Sequence, residues 1–196
     1  MPADSGATDE TIEPGSYHIP SSEWSPADFT VTFPSGWSVQ YGHVYHQNNE
    51  RGETGEFYAI DLDEVYTDSC HGKGIPKAVG PGVDDLATAL LEQVGTVAGE
   101  PVQTTLGGHP ATRIDLRVPK GLDLEDCRLA HDGVRGLQLW YSVPADKYFV
   151  LRAGGTAHIY ILDVDGERQV FVTQQVSPTP DDRTELQTVL NSIRVG

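Results

Sequence analysis

The chain has 196 residues, with 29 acidic side chains against 13 basic ones and a formal net charge of −16 with histidine neutral. That balance argues against nucleic acid and anionic bilayers as partners, because both attract clustered Lys and Arg and repel an acidic surface. No window approaches the roughly 18 consecutive apolar residues of a membrane-spanning helix, and the length suits a single globular domain of roughly 50 to 250 residues.

Met1 to Gly15 lacks the basic and apolar regions of a signal peptide, which taken literally favours the cytoplasm. The same stretch is small, acidic and proline-bearing, as a flexible stalk is once a signal or anchor has been removed. The chain is therefore read as a stalk over residues 1–15 and one domain over 16–196.

From Phe29 the pattern is strand-rich. Phe29–Phe33 and Trp37–Tyr41 alternate with period two around a Pro34-Ser35-Gly36 turn, which predicts a hairpin. His43–His46 and Phe57–Val65 read as further strands, and a long loop from Thr67 to Gly82 carries Cys70. Val83, Leu86, Ala87, Leu90, Leu91 and Val94 then recur at helical spacing, with Asp84 and Asp85 in the first turn and Gly95 as the stop. Pro101–Leu106 leads through Gly107-Gly108 to Ala111–Val118, whose Arg113, Asp115 and Arg117 share a wet face.

Leu137–Val143, Lys147–Arg152, Ala157–Asp163 and Gln169–Thr173 complete the strands, with Gly154-Gly155 and Asp165-Gly166 as hairpin signals. Several of these are apolar on both faces, so they are expected to be central and covered twice. A closing helix is capped by Thr179, opens with Pro180, Asp181 and Asp182, and carries a stripe of Leu186, Val189, Leu190 and Ile193. The fold class is α+β: a meandering antiparallel sheet covered by two helices, an α/β/α sandwich.

Two cysteines occur, Cys70 and Cys127. They admit a disulfide, a metal pair or two free core thiols. Neither lies in a CxxC, and both have polar neighbours where inert thiols prefer apolar ones. A disulfide is favoured; it would close a loop worth about 4 kcal/mol in the chain-entropy account and imply an oxidising compartment.

Pro14-Gly15-Ser16-Tyr17, Phe29-Thr-Val-Thr-Phe-Pro-Ser-Gly-Trp37 and Leu190-Asn-Ser-Ile-Arg194 resemble the opening and closing signatures of the PsbP-like α/β/α sandwich superfamily. The Gly107-Gly108-His-Pro-Ala-Thr-Arg113 step is similar to one in its secreted and lipoprotein members. The resemblance spans roughly Ser16 to Val195. It implies the sandwich fold and an extracytoplasmic, uncharacterised bacterial module whose relatives mostly bind, assemble or sense. It implies no catalytic residues.

Chemistry is sparse. No GxSxG elbow occurs, and neither Gly72-Lys73-Gly74 nor Gly107-Gly108 has the setting of a phosphate loop, so no cofactor is expected. His43 and His46, three apart on a strand, would point to opposite faces rather than share an ion. Asp163-Val-Asp165-Gly166 resembles the start of a calcium loop but has Gln174 at the twelfth position, so it reads as a turn. Asp61, Asp63 and Asp68 form the acidic group where a weak metal site is conceivable, against a solvated edge. Trp24, Tyr41 and Tyr45 are candidates for an aromatic groove, with Trp37 and Trp140 assigned to the core; Arg113 and Arg117 could grip an anion or pair with Asp115.

These readings favour a non-catalytic, monomeric module, secreted or membrane-anchored, that binds an envelope protein or small ligand and does not itself enter the membrane. The alternatives are an envelope hydrolase using paired carboxylates and a cytoplasmic assembly partner.

Overall fold

The computed structural model describes residues 10–22, 25–40, 43–48, 52–71, 76–127, 135–142 and 147–196. In chain order, these form β1 (Glu10–Thr11), β2 (Gly15–Ile19), β3 (Phe29–Phe33), β4 (Trp37–Gln40), β5 (His43–Asn48), β6 (Gly52–Ile60), β7 (Glu64–Val65) and β8 (Lys77–Ala78). Helix α1 (Val83–Leu91) is followed by β9 (Val97–Ala98), β10 (Val102–Leu106), β11 (His109–Arg117) and a 3-10 turn at Leu124–Asp126. The chain closes with β12 (Leu137–Ser142), β13 (Lys147–Leu151), β14 (Gly155–Val164), β15 (Glu167–Val176), α2 (Pro180–Ser192) and β16 (Arg194–Val195). The class is α+β, mostly antiparallel sheet with two helices.

The main sheet runs β1-β4-β5-β6-β15-β14-β11-β10, with β9 beside β11 at the same edge as β10. Its middle strands β14 and β15 are buried along nearly their whole length, covered on both faces as expected, although β15 also buries Arg168, Gln169, Thr173, Gln174 and Gln175. Two smaller sheets cover it. The order β13-β12-β7-β8 lies with α1 on one face, where Leu86 and Leu90 join Ile114, Leu116, Ile159 and Trp140 in one hydrophobic cluster. The order β16-β3-β2 lies with α2 on the other, where Val189 and Ile193 join Phe29, Phe33, Phe57 and Phe171. Phe29 meets Phe171 edge to face at 5.0 Å, the arrangement ring quadrupoles favour.

The second helix begins as its sequence indicates. Thr179 Oγ1 accepts from Asp182 N–H, and Asp182 Oδ2 accepts from Thr179 N–H at 2.7 Å, a reciprocal capping box. The first helix is shorter than its apolar spacing suggests. It stops at Leu91, because Gln93 turns inward and donates through Nε2 to the carbonyls of Tyr66 and Leu139. Leu91 and Val94, assigned by spacing to the buried stripe, are consequently exposed.

Three further expectations are corrected. The Pro34-Ser35-Gly36 turn does not make a hairpin: β3 pairs with β2 and β16, while β4 pairs with β1 and β5. The turn carries the chain from one sheet to the other, leaving Phe33 and Trp37 packed ring to ring at 5.4 Å. Gly154-Gly155 likewise passes from β13 in a covering sheet to β14 in the main one. Finally, residues 10–15 belong to the folded domain rather than to a stalk. Ile12 is buried and donates its N–H to the Trp37 carbonyl, and β1 pairs with β4.

Cys70 and Cys127 are disulfide-bonded, with Cα atoms 4.5 Å apart. Their polar neighbours suggested loop surroundings, yet both belong to the α1-side hydrophobic cluster. The exposed side chains of His71, Glu125 and Asp126 turn outward and leave the sulfurs to the core. Among the described residues, no helix is long and apolar enough to cross a membrane.

Candidate ligand-binding pocket

Gly107 and Gly108 both take positive φ, +62° and +95°, which suits the two-residue turn joining β10 to β11. At Gly107 the turn also meets the end of the chain: Val195 N–H donates to the Gly107 carbonyl at 3.0 Å, and a Cβ on Gly107 would fall 2.5 Å from Val195 Cγ2. This close approach sets the hairpin beside the C-terminal turn of α2. Between them lies a hollow of about 400 Å³.

Leu106, Leu190 and Ile193, all buried, form its floor and leave the exposed lining mostly polar. Its polar lining comes from Arg113 on β11, Tyr160 on β14, Gln187 and Asn191 on α2, and Arg194 on β16. Arg113 and Tyr160 are register partners across the β11–β14 ladder. The helix spacing that buries Leu186, Val189 and Leu190 turns Gln187 and Asn191 outward, one turn apart, where Gln187 Nε2 donates to Asn191 Oδ1 at 2.9 Å. Arg194 donates to the Asn191 carbonyl at 2.9 Å, a cation satisfying a helix C-terminus.

Arg113 is fixed from behind. Its Nε lies 3.0 Å from Asp115 Oδ1, and that same oxygen lies 2.7 Å from His158 Nδ1. Arg113 Nη2 also donates to Asp115 Oδ2 at 3.4 Å. Burial pushes the Tyr160 phenol up from its ordinary value, partly offset by the Arg113 charge, so it stays a neutral hydroxyl.

The grouping of candidate residues expected from sequence is only partly realised. Trp24 and Tyr41 lie outside the described residues. Tyr45 is buried on β5, and the register Tyr45–Glu56–Gln174–Ala157–Leu116 places it on the α1 side. Arg113 lies on the other face, four strands away, about 19 Å in strand spacings. Arg117 is exposed farther along β11 and does not line the hollow. Among the described candidates, only Arg113 lines the hollow. Self-pairing with Asp115 does occur, and the pocket receives the same guanidinium.

The acidic group is dispersed as well. Asp61 and Asp63 lie in the bend after β6 rather than on a strand. Asp63 Oδ1 pairs with Arg168 at 3.3 Å, and Asp68 Oδ1 accepts the N–H groups of Cys70 and His71 at 3.0 and 2.9 Å. Among the described residues, no three His, Cys, Asp or Glu side chains come together as a metal site. Desolvation, then the neighbouring Asp63 charge, raise the Asp61 carboxyl above its ordinary value.

His43 and His46 do face opposite ways. His43 stacks on Tyr58 and Phe149 at 4.6 and 5.0 Å, whereas His46 lies against Trp37. Asp163 and Asp165-Gly166 form a turn, with Asp163 Oδ1 accepting the Gly166 N–H at 2.8 Å.

Sequence reasoning missed Tyr160, Gln187, Asn191, Arg194 and His158. Arg194 stood in the family-like C-terminal tail, but nothing there tied it to Arg113. A cross-strand register and a helix end over a hairpin are long-range facts, with no local signal. A second hollow, of about 470 Å³ between α1 and the β7–β8 pair, holds exposed charges of both signs in Lys77, Asp85 and Glu92. In comparisons with known proteins, no family model matches the chain and no curated protein matches it.

Proposed function

We propose that this chain is a non-catalytic binding module that works outside the reducing cytoplasm, as a secreted or membrane-anchored domain, and takes a small ligand between the β10–β11 hairpin and α2. The observation that carries the reading is the hollow itself. It has several convergent polar groups over a buried floor, and one cation, Arg113, braced from behind by Asp115, which is itself paired with His158. The core disulfide supports the compartment, since reducing cytoplasm does not maintain such bonds. The likeness to PsbP-like domains, carried by the Phe29–Trp37 and Leu190–Arg194 segments, supports an α/β/α sandwich of the binding or sensory kind.

The hydrolase reading is the weaker one, because the neighbouring carboxyls Asp61 and Asp63 lie away from the hollow and Asp63 is paired with Arg168. The test is a thermal-shift and NMR screen of small molecules, run beside chromogenic ester, glycoside and peptide substrates. Ligands that perturb the β10–β11 turn without being turned over support the proposal. Turnover abolished by Asp61→Asn or Asp63→Asn overturns it. Thiol titration of protein recovered from reducing and from oxidising compartments tests the location: two reactive thiols, with no loss of stability in the reduced form, would overturn that part.

A further inference from the structure

Resting on the binding reading above, we infer that the ligand is a small oxyanion, a carboxylate or a phosphate monoester, with its charge between Arg113 and Arg194 and its body along the polar rim of Tyr160, Gln187 and Asn191.

The charge distribution is the first argument. The protein carries a formal −16, yet the charged side chains lining this hollow are both arginines. Asp115 balances Arg113, and it does so from the strand position beyond the lining. Arg194 spends its contacts on main-chain carbonyls of the helix end, whose partial charge is smaller than a carboxylate's. Among the described residues, no carboxylate pairs with Arg194, which leaves one positive charge uncompensated at the hollow.

Preorganisation is the second. Arginine is the side chain whose planar fork matches a carboxylate or phosphate, and its advantage grows when its orientation is already fixed. Arg113 is fixed by Asp115, and Asp115 by His158. The Gln187–Asn191 pair and the Tyr160 hydroxyl add neutral polar groups at the same rim, suited to hydroxyls on the ligand body.

The experiment titrates the folded protein with inorganic phosphate, with glucuronate, and with glucose as the uncharged counterpart of glucuronate. Binding is followed by calorimetry and by the arginine Nε–H signals in NMR. The inference expects at least one oxyanion to bind, to shift the Arg113 and Arg194 signals, and to lose roughly tenfold or more in affinity in Arg113→Gln. Arg117→Gln, on the same strand but outside the hollow, should bind as the unaltered protein does. Phosphate alone binding would assign a phosphate monoester, and glucuronate alone a carboxylate. If Arg113→Gln does not fold, Arg194→Gln and the arginine signals of the unaltered protein carry the test. No arginine shift at tens of millimolar of either anion overturns the inference, as does affinity unchanged in both arginine variants. Glucose binding the hollow as well as glucuronate overturns the oxyanion assignment while leaving the binding-module reading standing.

Discussion

Trp37 and Glu185 meet across the α2-side core: the buried indole Nε1 donates to Glu185 Oε1 at 2.7 Å, joining β4 to the middle of α2. The carboxylate is also 3.6 Å from His46 Nε2, so a helix, an indole and an imidazole share one anchor. Glu185→Ala would strand the indole donor and should cost about 1 to 3 kcal/mol. Glu185→Gln keeps an acceptor oxygen and should cost much less. Urea unfolding followed by tryptophan fluorescence measures both.

The Cys70–Cys127 bond closes a sequence separation of 57 residues. By chain entropy it should stabilise the fold by about 4 kcal/mol. For a domain of this length that corresponds to a fall of roughly 8 to 16 °C in Tm on reduction. Calorimetry with and without reductant checks it, and the Cys70→Ser, Cys127→Ser double variant should match the reduced protein.

Asp61 and Asp68 should give opposite pH dependences. Burial, then Asp63, raise the folded Asp61 carboxyl, so in the window from the ordinary carboxylate value up to the folded one the folded state holds the extra proton. Stability from this group therefore falls as pH rises through that window. Asp61→Asn should be more stable than the unaltered protein at neutral pH, with the gap vanishing in acid. Asp68 runs the other way: desolvation pushes it up, but the N–H groups of His71 and Cys70 and the His71 ring together hold it below its ordinary value. Its contribution is present above the ordinary carboxylate range and is lost as pH falls through the folded value. Asp68→Asn should be less stable at neutral pH, with the gap closing in acid. Urea midpoints taken from pH 2 to 7 decide both signs.

Arg168, buried on β15, should be structurally costly to remove. Its Nη2 donates to the Leu62 carbonyl at 2.6 Å and its Nη1 to the carbonyls of Gly80 and Gly82, tying the bend after β6 to the segment entering α1. Arg168→Met keeps the apolar stem and strands those acceptors. The expected loss is roughly 2 to 4 kcal/mol. Hydrogen exchange should accelerate in residues 61–63 and 79–86, and Arg168→Lys should restore only part of the protection, having no fork to span the carbonyls.

Local patterns carried much of this architecture. Period-two runs located β3 and β11, continuous apolar runs located β14 and β15, and the Thr179-Pro180-Asp181-Asp182 start located α2 to the residue. Pairing was legible only where a two-residue turn enforced it, as at Gly107-Gly108 and Asp165-Gly166. It was misread where a turn led into a different sheet, as at Pro34-Ser35-Gly36 and Gly154-Gly155, because nothing local distinguishes folding back from crossing over. The helix end at Leu91 was hidden for a related reason. Gln93 is polar and reads as outward, yet it is drawn in by two distant carbonyls. The pocket was the least legible part: Arg113 stood out from its strand pattern, while Tyr160 and Arg194 became its neighbours only through register and helix docking.

The burial of β14 and β15 on both faces bears on how the molecule opens. Each strand is a wall common to two hydrophobic clusters, so neither cluster can be exposed alone without uncovering the same backbone. Local fraying can release β1 or β8 amides, but the amides from Ile159 to Leu162 and from Val170 to Thr173 should exchange only when the entire chain unfolds. They should report one common free energy, whichever face they serve.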